Sequence, residues 1–139
     1  MPALRTYIDA NVIIFALNLC EEDDRSQTAF DVIEDPARVI LGSDYLWLEI
    51  RPKTIYNKQR HQTAFIDKIF DRAEMVRSNE AVIERAKSMA VKYGLSAMDA
   101  LHVASAIEGQ ADEMVTFEHP NKPFFRISPS EMRIVSLHG

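Results

Sequence analysis

Short runs of β-branched and aromatic residues alternate with helical segments along the whole chain, and this alternation limits the folds open to it most severely. Leu4-Arg5-Thr6-Tyr7-Ile8 reads as a first strand leading into Asp9. Asn11 stands where a helix N-cap is expected, ahead of the apolar run Val12 to Leu17. Past the acidic stretch Glu21-Glu22-Asp23-Asp24, residues 26–34 carry Ala29, Phe30 and Ile33 at helical spacing, and Pro36 stops them. Val39-Ile40-Leu41 has the continuous apolar character of a buried parallel strand. Ser43 and Asp44 open a helix that sends Leu46, Trp47 and Ile50 inward, and Pro52 is expected to break or bend it. Residues 60–73 form a further helix with Ala64, Phe65, Ile69 and Phe70 on one side.

Met75-Val76-Arg77 reads as a third strand. Ser78 is the expected cap of a helix in which Val82, Ala86, Met89, Ala90 and Tyr93 repeat, and Gly94 ends it. Ser96-Ala97-Met98-Asp99 has the form of a capping box and opens a helix running to about Glu108. Met114-Val115-Thr116 and Ile134-Val135 complete the strands. The expected fold is α/β: a single domain over residues 1–139, an α/β/α sandwich on a central, mainly parallel sheet of four to five strands. In such sheets ligands bind beyond the carboxyl ends of the strands, so chemistry is sought there.

Composition narrows the function. A net charge of −5 argues against coating nucleic acid by bulk electrostatics, yet it suits a protein that meets phosphate through bound cations. The apolar run Val12 to Leu17 is far shorter than the roughly 20 residues of a membrane span. Arg5 and Asp9 precede that run without a small-residue cleavage site, so no secretory signal is expected. Cys20, the lone cysteine, agrees with a reducing, cytoplasmic setting, and no histidine pattern marks it as a nucleophile. Neither glycine-rich phosphate loop is present, and no Gly-x-Ser-x-Gly elbow appears.

Asp9, Glu49, Asp99 and Glu118 all fall near the ends of elements that reach the same sheet edge. Hard divalent cations prefer oxygen ligands, and a cation makes crowded carboxylates tolerable. Each acid also has an ordinary reading: Asp9 as a turn residue, Asp99 as the third helical residue of a capping box, Glu49 as a solvated helix residue, Glu118 as a loop acid. Spacing alone does not join them.

The order of the motifs does. Tyr7-Ile8-Asp9-Ala10-Asn11, Leu48-Glu49-Ile50, the run Ser96-Ala97-Met98-Asp99-Ala100-Leu101-His102-Val103-Ala104-Ser105-Ala106, and Ala111 through Glu118 together resemble the PIN-domain family. That family includes the toxin half of VapBC-type toxin–antitoxin pairs, and the resemblance spans essentially the whole chain. It implies a metal-dependent endoribonuclease using Mg²⁺ or Mn²⁺, with Asp9, Glu49 and Asp99 as ligands and Glu118 where family members usually carry aspartate. Asn11 falls where the family has a polar residue that orients ligands or water. The segment from His119 to Phe125 departs from the commoner Asp-x-x-Phe ending. A cognate antitoxin and a homodimer are the implied partners, with helices in 43–74 as candidate surfaces for them. The alternative is a PIN fold retained as a binding or regulatory module with weak catalysis. A phosphatase-like metal hydrolase is disfavoured, because its Asp-x-Asp is here Asp9-Ala10-Asn11.

Segment 51–61 contains no acid and carries Arg51, Lys53, Lys58, Arg60 and His61, a candidate rim for RNA phosphates or simply a solvated surface. Tyr56 within it can stack on an unpaired base. His102, on the same helix face as Asp99, reads as a core or rim residue in preference to a ligand. His61, His119 and His138 form no spaced metal set, and the methionines and Trp47 read as core.

Overall fold

Parallel strands need crossovers, and here helices that cover the sheet supply all but the last, which carries only a short 3₁₀ turn. The computed structural model describes residues 3–18 and 24–138, so Cys20 and the acids Glu21, Glu22 and Asp23 lie outside the described residues. The elements run β1 (Leu4–Ile8), α1 (Ala10–Leu17), α2 (Asp24–Glu34), β2 (Arg38–Ser43), α3 (Asp44–Tyr56) and α4 (Arg60–Arg72). Then follow β3 (Glu74–Val76), α5 (Glu80–Tyr93), α6 (Ala97–Glu108), β4 (Glu113–Thr116), a 3₁₀ turn at Pro123–Arg126 and β5 (Ile134–Ser136).

The sheet order is β3-β2-β1-β4-β5, and every pairing is parallel. Successive side chains on a strand point to opposite faces. Ile8, Ile40 and Val115 therefore join the core beneath α1 to α4, while Tyr7, Leu41 and Met114 join the core beneath α5 and α6. The result is the expected three-layer sandwich, with its sheet parallel throughout.

Several local expectations give way to competing chemistry. The N-cap of α1 is Asp9, whose carboxylate accepts from the Ala10 N–H, and Asn11 lies inside the helix. Asn79, not Ser78, caps α5: its side chain accepts from the Val82 N–H at 2.9 Å. Both residue types cap well, and Ser78 is already engaged, bonding the Tyr45 hydroxyl and donating its N–H to Asp44 at 2.7 Å. Pro52 sits within α3 without ending it. The bond it removes would have gone to the carbonyl of Leu48, a residue 63% exposed, where water can replace the lost donor. In α4 the buried residues are Ile66 and Ile69, with Phe65 and Phe70 partly buried and Ala64 exposed. Trp47 is half-buried and Met98 exposed, so neither belongs to the core.

Two glycine positions answer to geometry. Gly94 closes α5 in the left-handed conformation, with φ 67°. Gly109 lets the end of α6 approach the sheet: a Cβ there would stand 2.5 Å from Val76 Cγ2 and 3.1 Å from the Ser105 carbonyl. Among the described residues, no helix is long and apolar enough to cross a membrane.

Candidate functional site

The carboxyl ends of β1 and β4, which lie side by side, supply the first part of the site. Asp9 leaves β1 in extended geometry, caps α1 through Oδ1 at 2.8 Å from the Ala10 N–H, and is 8% exposed. Its Oδ2 accepts from the Thr116 hydroxyl at 2.8 Å. Thr116 Oγ1 in turn accepts from Asn11 Nδ2 at 3.3 Å and from the Glu118 N–H at 3.1 Å. Asn11 Oδ1 accepts the Phe117 N–H at 3.1 Å. One threonine hydroxyl thus joins the aspartate, the asparagine and the loop bearing Glu118. The Glu118 carbonyl accepts from Ser136 Oγ at 2.7 Å, which pins that loop to β5.

Asp99 enters from the first turn of α6, where its N–H donates to the N-cap Ser96 at 3.3 Å. Burial holds its carboxyl above the usual carboxylate range, and the charges of Asp9 and Glu118 push it further up; Ser96 and His102 offset part of this. Asp9 and Glu118 therefore stand within electrostatic reach of Asp99, although the three come from separate stretches of the chain.

Glu49 projects from α3, whose N-cap Ser43 is the last residue of β2. Its Oε1 lies 2.6 Å from His102 Nε2, and that bond holds the carboxyl below the usual range against an opposing contribution from burial. Its other oxygen has no hydrogen-bond partner among the described residues.

The donors in this cluster are carboxylate oxygens, the chemistry a hard divalent cation selects. Among the described residues, no group of three or more acidic, histidine or cysteine side chains stands close enough together to hold a metal ion as they are placed. Burial raises Asp99 most and the repulsion of Asp9 and Glu118 adds to it; a cation would relieve that repulsion, and in this sense the donor set fits one.

The basic segment divides. Arg51 is committed to Asp67, at 2.6 Å and 3.2 Å, and lies over the Trp47 ring, so it is tied to the fold. Lys53, Lys58 and Arg60 are exposed, as is His61, and Tyr56 is 86% exposed. His119 and His138 meet edge to face at 4.8 Å.

Sequence reasoning passed over Thr116 and Tyr7 except as motif markers, and read Ser43 only as a helix start and His102 only as a core or rim residue. The available signal was positional: each lies at a strand end or on the Asp99-bearing helix. Their mutual bonds cross 36 to 107 residues, beyond the reach of local pattern.

Comparison with known proteins follows this geometry. The family model for the PIN domain matches residues 6–119. No curated protein matches the chain. Among solved structures, a chain of VapBC2 from Rickettsia felis, bound to a DNA fragment from their promoter, superposes with a TM-score of 0.71 at 16% identity, covering 96% of this chain and 98% of that one. A toxin–antitoxin complex from Klebsiella pneumoniae gives 0.68 at 21% identity, covering 94% and 96%. VapBC-1 from nontypeable Haemophilus influenzae gives 0.68 at 16% identity, covering 96% and 98%. At these identities the likeness is one of fold.

Proposed function

Since this chain belongs to the PIN-domain family, we propose that it is a metal-dependent endoribonuclease and the toxin component of a type II toxin–antitoxin pair. The observation that carries this reading is the linkage of Asp9 to the Glu118 loop through the Thr116 hydroxyl, with the Asp99 carboxyl held above its ordinary range by burial and by the charges of those two acids. An acid cluster that costs stability when empty is explained by a cation partner.

Asp9, Asp99 and Glu118, with the free oxygen of Glu49, are the residues that would hold Mg²⁺ or Mn²⁺. A divalent cation bound there would supply charge neutralisation at the phosphodiester and a lowered pKa for water. Thr116 and Asn11 hold the Asp9 carboxylate and the Glu118 loop in fixed relation. Lys53, Lys58 and Arg60 stand exposed for contact with backbone phosphates, and Tyr56 for stacking on an unpaired base. Addition of water across the P–O3′ bond leaves a 5′ phosphate and a 3′ hydroxyl, with no side chain as nucleophile.

The toxin assignment draws on the neighbouring folds, which belong to toxin–antitoxin complexes. A cognate antitoxin and a second copy of this chain are the expected partners. Exposed Leu48 and Met98, which line a shallow groove with Tyr45 and Glu49, offer apolar surface beside the acids for the antitoxin.

The reading is tested by incubating the purified protein with a mixed panel of structured and single-stranded RNAs, with Mg²⁺ or Mn²⁺ and an EDTA control. Metal-dependent products bearing 5′ phosphates are expected. Products unaffected by EDTA would sink it. No cutting of any RNA, despite measurable Mn²⁺ binding, would favour a PIN-fold binding module instead.

A further inference from the structure

His102 lies at the centre of a buried run of hydrogen bonds that connects Glu49 to the backbone of the helix bearing it. His102 is 2% exposed, and Tyr7 and Ser43 are fully buried. From one end, the Leu46 N–H reaches Ser43 Oγ at 3.1 Å, and Ser43 Oγ lies 2.7 Å from the Tyr7 hydroxyl. That hydroxyl is 2.7 Å from His102 Nδ1, and His102 Nε2 is 2.6 Å from Glu49 Oε1.

The direction of this run follows from donor and acceptor inventory. A backbone N–H only donates, so Ser43 Oγ accepts from Leu46. The Ser43 proton then has one oxygen within reach, that of Tyr7, and a buried hydroxyl proton without an acceptor is costly. Tyr7, having accepted from Ser43, gives its own proton to His102 Nδ1. Ser105 also lies near the Tyr7 hydroxyl, but its own proton goes to the Leu101 carbonyl at 2.7 Å, so it donates none to Tyr7. With Nδ1 accepting, the ring offers the proton on Nε2 to a carboxylate that accepts. Burial holds the Tyr7 hydroxyl far above its ordinary pKa, which keeps it a donor.

We propose that His102 is a positioning residue: a one-way chain of hydrogen bonds from the Leu46 N–H fixes its Nε2–H tautomer, which clamps Glu49 Oε1 and leaves Oε2, unbonded among the described residues, as the oxygen available to a cation. This rests on the reading of Glu49 as a cation-holding residue. The chain begins and ends on α3, so the helix that carries Glu49 also sets the orientation of its carboxylate through Tyr7 of β1 and His102 of α6. Hydrogen-bonding partners of this kind typically change metal affinity 10–100-fold when removed.

The test uses three variants of the full chain, each checked for an unchanged circular dichroism spectrum. Tyr7→Phe removes one hydroxyl and keeps the buried ring. His102→Leu removes the donor, and His102→Gln retains an N–H able to reach Glu49. Long-range ¹H–¹⁵N spectra of the metal-free protein should show His102 as the Nε2–H tautomer, and as a tautomer mixture in Tyr7→Phe. An Nδ1–H tautomer in the wild type, or a spectrum unmoved by Tyr7→Phe, would overturn the proposal. Calorimetric titration with Mn²⁺ should show affinity falling by about 10–100-fold in His102→Leu and recovering substantially in His102→Gln. Equal affinity in wild type and His102→Leu would overturn it as well. A wild type that binds no Mn²⁺ defeats the cation reading itself, and the tautomer spectra still decide the hydrogen-bond chain.

Discussion

With its side chain half-buried and the charges of Asp9 and Glu118 nearby, the Asp99 carboxyl gives up its proton at a higher pH in the folded chain than in the unfolded one. The folded state therefore binds more protons between the ordinary value of 3.8 and the raised one, and stability falls as pH climbs through that window. Above the window the charged side chain remains a standing cost in the metal-free protein. Asp99→Asn removes that charge, so it should raise the melting temperature at pH 7 by on the order of 1–3 °C. The gain should vanish near pH 3, where wild-type Asp99 is already protonated. Adding Mg²⁺ should reverse the ranking, because only the wild type gains stability from binding. Differential scanning fluorimetry at the two pH values, with and without Mg²⁺, checks all three statements. Glu49 has the opposite sign: its bond to His102 contributes stability above pH 4.5 that is lost as pH falls through the lowered folded value.

At the level of elements, most of the fold was legible because local chemistry and tertiary packing agree. Val39-Ile40-Leu41 and Met114-Val115-Thr116 are apolar on both sides, and both lie in central, fully covered strands. Ser96 and Gly94 act as cap and stop where the sequence places them. The misses came where two residues compete for one task. Ser78 and Asn79 both qualify as caps, and the choice rests on the contacts of Ser78 with Tyr45 and Asp44, more than thirty residues away. Asn11 was displaced as a cap by Asp9, and its amide joins Thr116 and Phe117 instead. The acids Asp9, Glu49, Asp99 and Glu118 could be named from motif order, but which of them touch depends on the parallel register of β1 with β4. The close approach of α6 to the sheet at Gly109 was equally invisible. Gly109→Ala should cost about 1–3 kcal/mol through overpacking against Val76 and the Ser105 carbonyl. A lowered urea midpoint with an unchanged slope would check it, and wild-type stability would contradict the close approach.

Over the whole molecule, the two edges of the sheet treat buried acid differently. At the amino end Glu113, 3% exposed, is answered by Arg38 and by Thr6 Oγ1 at 3.2 Å. At the carboxyl end Asp9, 8% exposed, is answered by the Ala10 N–H and the Thr116 hydroxyl. A fold that answers one buried acid with an arginine holds the other with neutral donors, at the end of the sheet where ligands bind and within electrostatic reach of Asp99. The exposed cations Lys53, Lys58 and Arg60 lie on α3, the α3–α4 turn and the start of α4, available to a phosphate backbone. The most direct test of this account is the cleavage rate of an end-labelled RNA in Mg²⁺ by wild type, Asp9→Asn and Asp99→Asn side by side. Both substitutions should lower the rate by at least about 100-fold, the scale of several kcal/mol of lost transition-state stabilisation, with folding intact. Cleavage at wild-type rates by both variants would contradict the carboxylate site and place the activity elsewhere.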